Sequence, residues 1–388
     1  MNRKDFIKLC GIYGIGLPLH SSLASCNNDG SGETEFKGKV VIIGAGAGGL
    51  SSGYLLNQRG IDFEILEASS SYGGRMRINT DFADFPIPVG AEWLHSSTDV
   101  FQEMVNDGSV NVDVNTINYD GKQDTYAFWD NGQLSVSPLN DSDIKFVDYS
   151  WFNFYEDYII PDITDKIAFN TIVESVDYSD QKIRITTNQG EVESDKIIVS
   201  VPLKILQDGD IIFIPGFPDD KMSAVNSSKV WEGFKAFIEF SDKFYDTQIG
   251  FNIIPATEGQ KLYYDAAYGQ NTSKNILGLF SVGRPALNYS KLSDSELIGV
   301  ILTELDEIYE GKASRSYINY ITQDWNKEPF IRSGYLSDET DWRMVRKLSE
   351  SIDRKIYFAG GPYTNGEDWV SIHAAAQSAK SAIDELTS

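Results

Sequence analysis

The sequence predicts an α/β protein in which a parallel sheet and a β-meander are joined to a second, mixed or mostly antiparallel sheet. Three observations carry this. Val40-Val41-Ile42-Ile43 is a short, continuously apolar run of the kind that fills a strand buried on both faces, and Phe63 to Leu66, Lys196 to Val201 and Ile356 to Ala359 read as companions. Ile172 to Asp195 alternates instead, broken by turns at Asp180-Gln181 and Asn188-Gln189-Gly190, the pattern of a meander. Val230 to Phe240 and Leu277 to Val282 read as strands of the other sheet.

The elements follow in order. Residues 1–26 read as a signal peptide: Arg3, Lys4 and Lys8 give a cationic start, and Leu9 to Leu19 an apolar stretch too short to span a membrane. Leu23-Ala24-Ser25-Cys26 is similar to a bacterial lipobox. It implies a lipidated Cys26 as the only membrane attachment and a place in the bacterial cell envelope, as a periplasmic or membrane-anchored lipoprotein. Residues 27–38, polar and Gly-rich, read as a linker. After the first strand comes Gly44-x-Gly46-x-x-Gly49, then a helix to Arg59 stopped by Gly60, then the second strand ending at Glu67. Glycines at this spacing permit a tight turn and a close backbone approach to a pyrophosphate, and Glu67 is placed to accept from ribose hydroxyls. The unit is Rossmann-like. Further on, Ser293-x-x-Glu296 is a capping box opening a helix, and Ala374 to Leu386 a closing helix of small residues.

Composition narrows the chemistry. A formal charge of −24 repels phosphate backbones and excludes nucleic acid as a partner, while favouring the approach of cations such as protonated amines. The two cysteines, Cys10 and Cys26, both lie in the leader, and only His95 and His373 follow it. A disulfide framework, a thiol nucleophile and a Cys- or His-based metal centre are thereby excluded from the body.

A run of motifs resembles the flavin amine oxidases. Glu67-Ala68-Ser69-x-x-Tyr72-Gly73-Gly74-Arg75 is similar to that family's Glu-Ala-x-x-x-x-Gly-Gly-Arg, and Val89-Gly90-Ala91-Glu92-Trp93-Leu94-His95 to its Gly-Ala-Glu-Trp-Ile-His. Asn170 to Val173, Trp325 to Phe330, Tyr357 to Gly360 and Ser371 to Ala375 resemble its later segments. The resemblance implies a Rossmann-like FAD-binding domain at 39–96, 161–224 and 326–388. A discontinuous substrate domain would then lie at 97–160 and 225–325, its helical part shortened. It places the cofactor on Gly44, Gly46, Gly49, Glu67, Ala68, Gly74, Arg75, Gly90, Ala91, Glu92, Trp93, Val173, Trp325, Gly360, Gly361 and Ile372. Arg75 would meet the pyrophosphate, and the helix start at Ile372 the flavin pyrimidine edge.

For catalysis the resemblance points to Lys235, Tyr335 and Trp369. Lys235 lies inside an alternating apolar strand, where an ammonium needs a partner or a task, and the family has there a lysine bonded through water to flavin N5. Three departures stand out. Gly361 replaces the glutamate of Phe-Ala-Gly-Glu, Gly334 stands where some members bind flavin through cysteine, and Ser371 replaces one wall of the aromatic pair beside the flavin. FAD is therefore expected to be non-covalent, with Tyr335 and Trp369 as walls. The aromatic-rich stretch Trp129, Trp151, Phe152, Phe154, Tyr155 and Tyr158 reads as core in preference to a binding box. The expected reaction is oxidation of an amine C–N bond by hydride transfer to flavin N5, with reoxidation by O2 or another acceptor. A C–C desaturase or protoporphyrinogen oxidase-like enzyme, and a flavin-binding protein without turnover, are the alternatives.

Overall fold

The computed structural model describes residues 36–388, so the leader, Cys26 and most of the linker lie outside the described residues. The parallel sheet runs in the order Ile167–Ala168, Phe63–Leu66, Val40–Ile43, Lys196–Val199, Ile356–Phe358, with every neighbouring pair parallel. Its central strand is buried on both faces. Val40 and Ile42 point into one core with the helices Ala47–Gln58 and Ile372–Thr387, Val41 and Ile43 into another with the meander. That two-sided burial is why the strand is apolar without alternation. Truncating Ile42, fully buried, to Ala would cost about 2–5 kcal/mol.

Helix Ala47–Gln58 stops where the sequence indicates: Gly60 has φ +66 and donates its N–H to the Asn57 carbonyl at 3.0 Å. The meander is Val173–Asp177, Ile183–Thr187 and Gly190–Ser194, with Ile212–Ile214 added parallel to its first strand.

The second large sheet has seven strands, in the order Tyr317–Asp324, Gly233–Phe240, Asn275–Gly283, Gly259–Asp265, Gln248–Phe251, Thr125–Asp130, Gln133–Pro138. It is mixed, because Gln248–Phe251 and Thr125–Asp130 pair in parallel among otherwise antiparallel neighbours. Helix Asp294–Tyr309 covers one face with Leu297, Ile301, Leu305 and Ile308, and Glu296 accepts the Ser293 N–H at 3.0 Å as a capping box requires.

Residues 97–160 divide between the two halves. Thr125–Pro138 joins the seven-stranded sheet, whereas helices Asp99–Val105 and Trp151–Tyr158 pack into the core of the parallel sheet. Trp151, Phe154 and Tyr155 are buried there, and the Tyr155 hydroxyl lies 2.9 Å from Ser51 Oγ on the first helix. This aromatic cluster is core. No helix among the described residues is long and apolar enough to cross a membrane.

Candidate functional site

Two ends of one site can be built from the residues upward. At the first, strand Val40–Ile43 turns at Gly44 (φ +102) into helix Ala47–Gln58. A Cβ at Gly49 would lie 1.9 Å from the Gly44 carbonyl oxygen, so this crossing admits only glycine. A Cβ at Gly46, in contrast, would meet nothing within 4 Å: the loop is open on that side. Glu67 fixes the loop, accepting the Ala45 N–H at 2.6 Å and the Ser69 N–H at 2.8 Å. Gly73 donates to the Ala45 carbonyl at 2.8 Å, bringing Gly74 against Gly46.

Arg75 follows on this turn, its guanidinium bonded to the Gly334 carbonyl. Burial pulls its pKa down to about 10, which leaves it charged at neutral pH. Among the described residues no carboxylate pairs with it. A partly buried cation without a carboxylate, one residue beyond the turn that touches a glycine loop open at Gly46, suits a pyrophosphate. Ala68 follows Glu67 on the same turn, and Val173 is buried at the start of the meander. Gly360 (φ +138) closes this end, since a Cβ at Gly48 would reach its Cα at 2.7 Å, and its N–H donates to Ser378 of the last helix at 2.7 Å.

At the second end, the backbone of Val89 to Ala91 crosses Arg75, whose carbonyl accepts the Ala91 N–H at 2.9 Å. Trp325 donates its indole N–H to the Val89 carbonyl at 3.1 Å. Lys235 reaches the same segment from strand Gly233–Phe240, its Nζ donating to the carbonyls of Pro88 (2.8 Å) and Gly90 (3.1 Å) and to Glu92 Oε2 (2.8 Å). All three ammonium donors are taken. Burial lowers the Lys235 pKa, with Glu92 opposing the shift and Lys145 adding to it.

Glu92 thus spends its carboxylate inside the protein and offers a cofactor only its main chain. Its Oε1 takes Lys145 at 3.0 Å, and Tyr264 donates to Oε2 at 2.8 Å. Burial would raise its pKa, but the two ammonium groups and the hydrogen bonds hold it below the ordinary carboxylate range. Trp93 stands edge-on to Tyr264, ring centroids 4.7 Å apart, and donates to the Tyr119 hydroxyl at 3.1 Å.

The remaining predicted residues are fixed by contacts of their own. Tyr335 accepts the Trp231 N–H at its carbonyl (2.8 Å), and Trp369 donates its indole N–H to the Ser337 carbonyl (3.0 Å), so both are tied to one segment. Gly361 has a local reason: a Cβ there would sit 2.9 Å from the Trp369 carbonyl oxygen, leaving no room for the family's glutamate. Gly334 is crossed by Gly233, and a Cβ on it would come within 3.2 Å of backbone atoms. Ile372 opens the last helix, capped by Ser371, whose Oγ accepts the Ala374 N–H at 3.3 Å. No cluster able to hold a metal ion occurs among the described residues.

Two parts of the site escape sequence reading. Lys145 carries the same signal as Lys235, a lysine between apolar neighbours in a strand (Ile144-Lys145-Phe146), and could have been found by it. Arg77 and Glu328 form a two-pronged ion pair at 2.7 and 3.2 Å, with the guanidinium 5.3 Å from the Trp325 ring centre, which explains the spacing of Trp325 and Glu328. Neither member of that pair announces the other in sequence.

Comparisons with known proteins fit this geometry. The family model described as "Flavin containing amine oxidoreductase" matches residues 155–386, more than half of the chain, and that of an "NAD(P)-binding Rossmann-like domain" matches residues 42–107. Lysine-specific histone demethylase 1B of Mus musculus is 25% identical over 201 residues, 50% of this chain but only 24% of the relative's length. Polyamine oxidase 4 of Oryza sativa subsp. japonica is 21% identical over 437 residues, 89% of this chain and 88% of the relative. Among solved structures, wild-type putrescine oxidase bound to putrescine superposes with a TM-score of 0.72 at 14% identity, over 91% of this chain and 100% of that one, a likeness of fold.

Proposed function

The chain belongs to the flavin-containing amine oxidase family, and on that premise we propose that it oxidises a C–N bond of a small amine with non-covalent FAD as its cofactor. The observation that carries the proposal is the meeting of Lys235, Arg75 and the Val89–Ala91 backbone at one crossing, the place where the family's motifs put a flavin. FAD, when bound, supplies the two-electron acceptor for the C–N bond. The Gly44–Gly49 loop and Arg75 would hold its pyrophosphate, Glu67 its ribose, and Gly360, Gly361 and Ile372 its flavin end. Lys235 would hold a positive charge, or a movable proton, beside the reacting atoms. Tyr335 and Trp369 would flank the amine and keep water away. O2 is proposed as the final acceptor. A glycine, Gly334, stands at the family's attachment position, where a side chain would crowd the backbone, and no cysteine follows Cys26, which supports non-covalent attachment.

The test is a spectrum followed by an amine panel. The purified protein should be yellow, release all its flavin as FAD on acid precipitation, and bleach anaerobically with at least one primary or secondary amine. FMN in the supernatant, or flavin kept on the washed pellet, would contradict the cofactor assignment. Failure of every amine to bleach the flavin would favour the second reading, a flavin protein without oxidase turnover. The complete engagement of the Lys235 donors supports that reading. Export and lipidation at Cys26 are part of the proposal: Cys26→Ser should move the protein from the membrane fraction to the soluble one, since two or three acyl chains anchor stably.

A further inference from the structure

Two lysines share one carboxylate in the interior. Lys145, Lys235 and Glu92 are 2%, 3% and 5% exposed, which makes the cluster a formal +1 charge out of contact with water. Burying an ion pair is already costly, and a second ammonium on the same carboxylate is retained only if its own donors are satisfied. They are. Lys145 Nζ donates to Glu92 Oε1 at 3.0 Å and to the carbonyls of Asp265 and Ala266 at 3.4 and 3.2 Å. Backbone register puts it there, because strand Ile144–Phe146 pairs antiparallel with Trp93–Leu94 and sets Lys145 opposite Trp93.

We propose that Lys145 is a positioning residue for Lys235: it holds Glu92 by one oxygen so that the other faces Lys235, and its charge makes Lys235 the member of a two-cation cluster that yields its proton more readily than a simple ion pair would. The other titratable groups facing the cluster are Tyr264, which donates to Glu92, and Tyr119 beyond Trp93. The Asp265 carboxylate is turned away to Lys243 at 2.6 Å. Without the Lys145 charge, Glu92 serves Lys235 alone and a repelling cation disappears. Both changes favour the protonated lysine and raise its pKa. The bearing on catalysis rests on the amine oxidase reading; the electrostatic relation does not.

The test follows Lys235 itself, by NMR titration of the FAD-loaded protein grown on lysine carrying 13C at Cε, with the signal assigned through Lys235→Arg. In Lys145→Met the Lys235 midpoint should rise by about one pH unit, the scale expected for a unit charge removed from a partly screened site. Lys145→Arg, which keeps the charge, should leave the midpoint near wild type. Lys145→Gln keeps a donor for Glu92 without the charge and should give the same rise, serving in place of the Met variant if that one does not fold. A midpoint unmoved in the uncharged variants, or moved as far in Lys145→Arg, overturns the proposal. No amine is needed for the titration, so an amine panel that fails to bleach the flavin refutes the proposed function and leaves this result to stand or fall separately.

Discussion

The two ends of the site are built by opposite means. At the Gly44–Gly49 end the backbone does the work: one turn, glycines that let chain segments touch, and Arg75 without a carboxylate partner among the described residues. At the Lys235 end the backbone is ordinary, and side chains from four separate segments, Glu92, Lys145, Lys235 and Tyr264, saturate one another. The first end is incomplete without an anion. The second is complete without any ligand, so a reacting molecule there meets a preset charge and makes no new ion pair. Such a cluster depends above all on Glu92, the one member that every other bonds.

That asymmetry is tested most severely at Glu92. Glu92→Gln leaves two buried ammonium groups without a counter-charge, which should cost about 3–5 kcal/mol of folding stability, read from urea denaturation. The pH dependence has a definite sign. In the wild type Glu92 is held below its ordinary value, so its contribution is present above about pH 4 and is lost as pH falls through the depressed value. In the variant the lysines are the strained groups. With no counter-charge beside the buried ammonium groups the unfolded chain holds those protons more firmly, so the variant's stability should go on climbing with pH through the alkaline range, whereas the Glu92 contribution in the wild type is gained in the acid range. The exposed pair Arg184–Asp180 serves as the contrast, with Asp180→Asn changing stability by about 0.5 kcal/mol or less. Equal effects at the two carboxylates would refute the saturated-cluster account.

Lys235→Met separates chemistry from folding. Methionine keeps most of the stem volume, so the flavin should stay bound, while its reduction by an amine or its reoxidation should slow by ~10²-fold or more. Stopped-flow absorbance at the flavin band resolves the two halves. Unchanged rates in both would leave Lys235 a structural member of the cluster and nothing else.

How much of this was open to sequence reading follows from the same contrast. Val40–Ile43, the glycine spacing, Gly60 and the Ser293 capping box are local signals, each set by neighbours a few residues away, and the structure has them where the pattern puts them. The Lys235 strand was readable as well, because an ionised group in an apolar run is conspicuous. Its pairing with Glu92 and Lys145 was not. Glu92 is 143 residues away in sequence and Lys145 meets it only through strand pairing, so no spacing rule connects them. The division of residues 97–160 between two cores escaped for a similar reason: Trp151 and Phe154 look alike whichever sheet they cover.

Arg75→Ala probes the incomplete end. Charge-assisted hydrogen bonds to a pyrophosphate contribute about 1.5–3 kcal/mol, so FAD affinity should fall by ~10- to 100-fold, measured by flavin release on dilution. Stability of the FAD-free protein should change little or rise, because a partly buried guanidinium whose pKa is pulled down to about 10 is removed together with its desolvation cost. An apo-protein destabilised as strongly as Glu92→Gln would mean that Arg75, too, belongs to a self-sufficient network, and the contrast between the ends would disappear.

The smallest effect is expected at Glu328, and it decides what the Trp325-to-Phe330 motif is for. Glu328 accepts both prongs of Arg77 and the Gln323 amide at 2.8 Å, and Arg77 lies over Trp325, the residue that holds the Val89 carbonyl. The arrangement braces Trp325 and, through it, the Val89 backbone, and the partners of the Glu328 carboxylate are Arg77 and Gln323. The pair is partly solvated, with 36% and 24% of the two side chains exposed, so screening keeps its worth to about 1 kcal/mol. Glu328→Gln keeps one acceptor for Arg77 and should lower Tm by about 1–3 °C at low salt, and less at high salt. FAD affinity should stay within about threefold of wild type, a change under ~0.7 kcal/mol. A loss of flavin comparable to that in Arg75→Ala would show that the brace sets the position of the Val89–Ala91 backbone, and that the cofactor end depends on side-chain saturation after all.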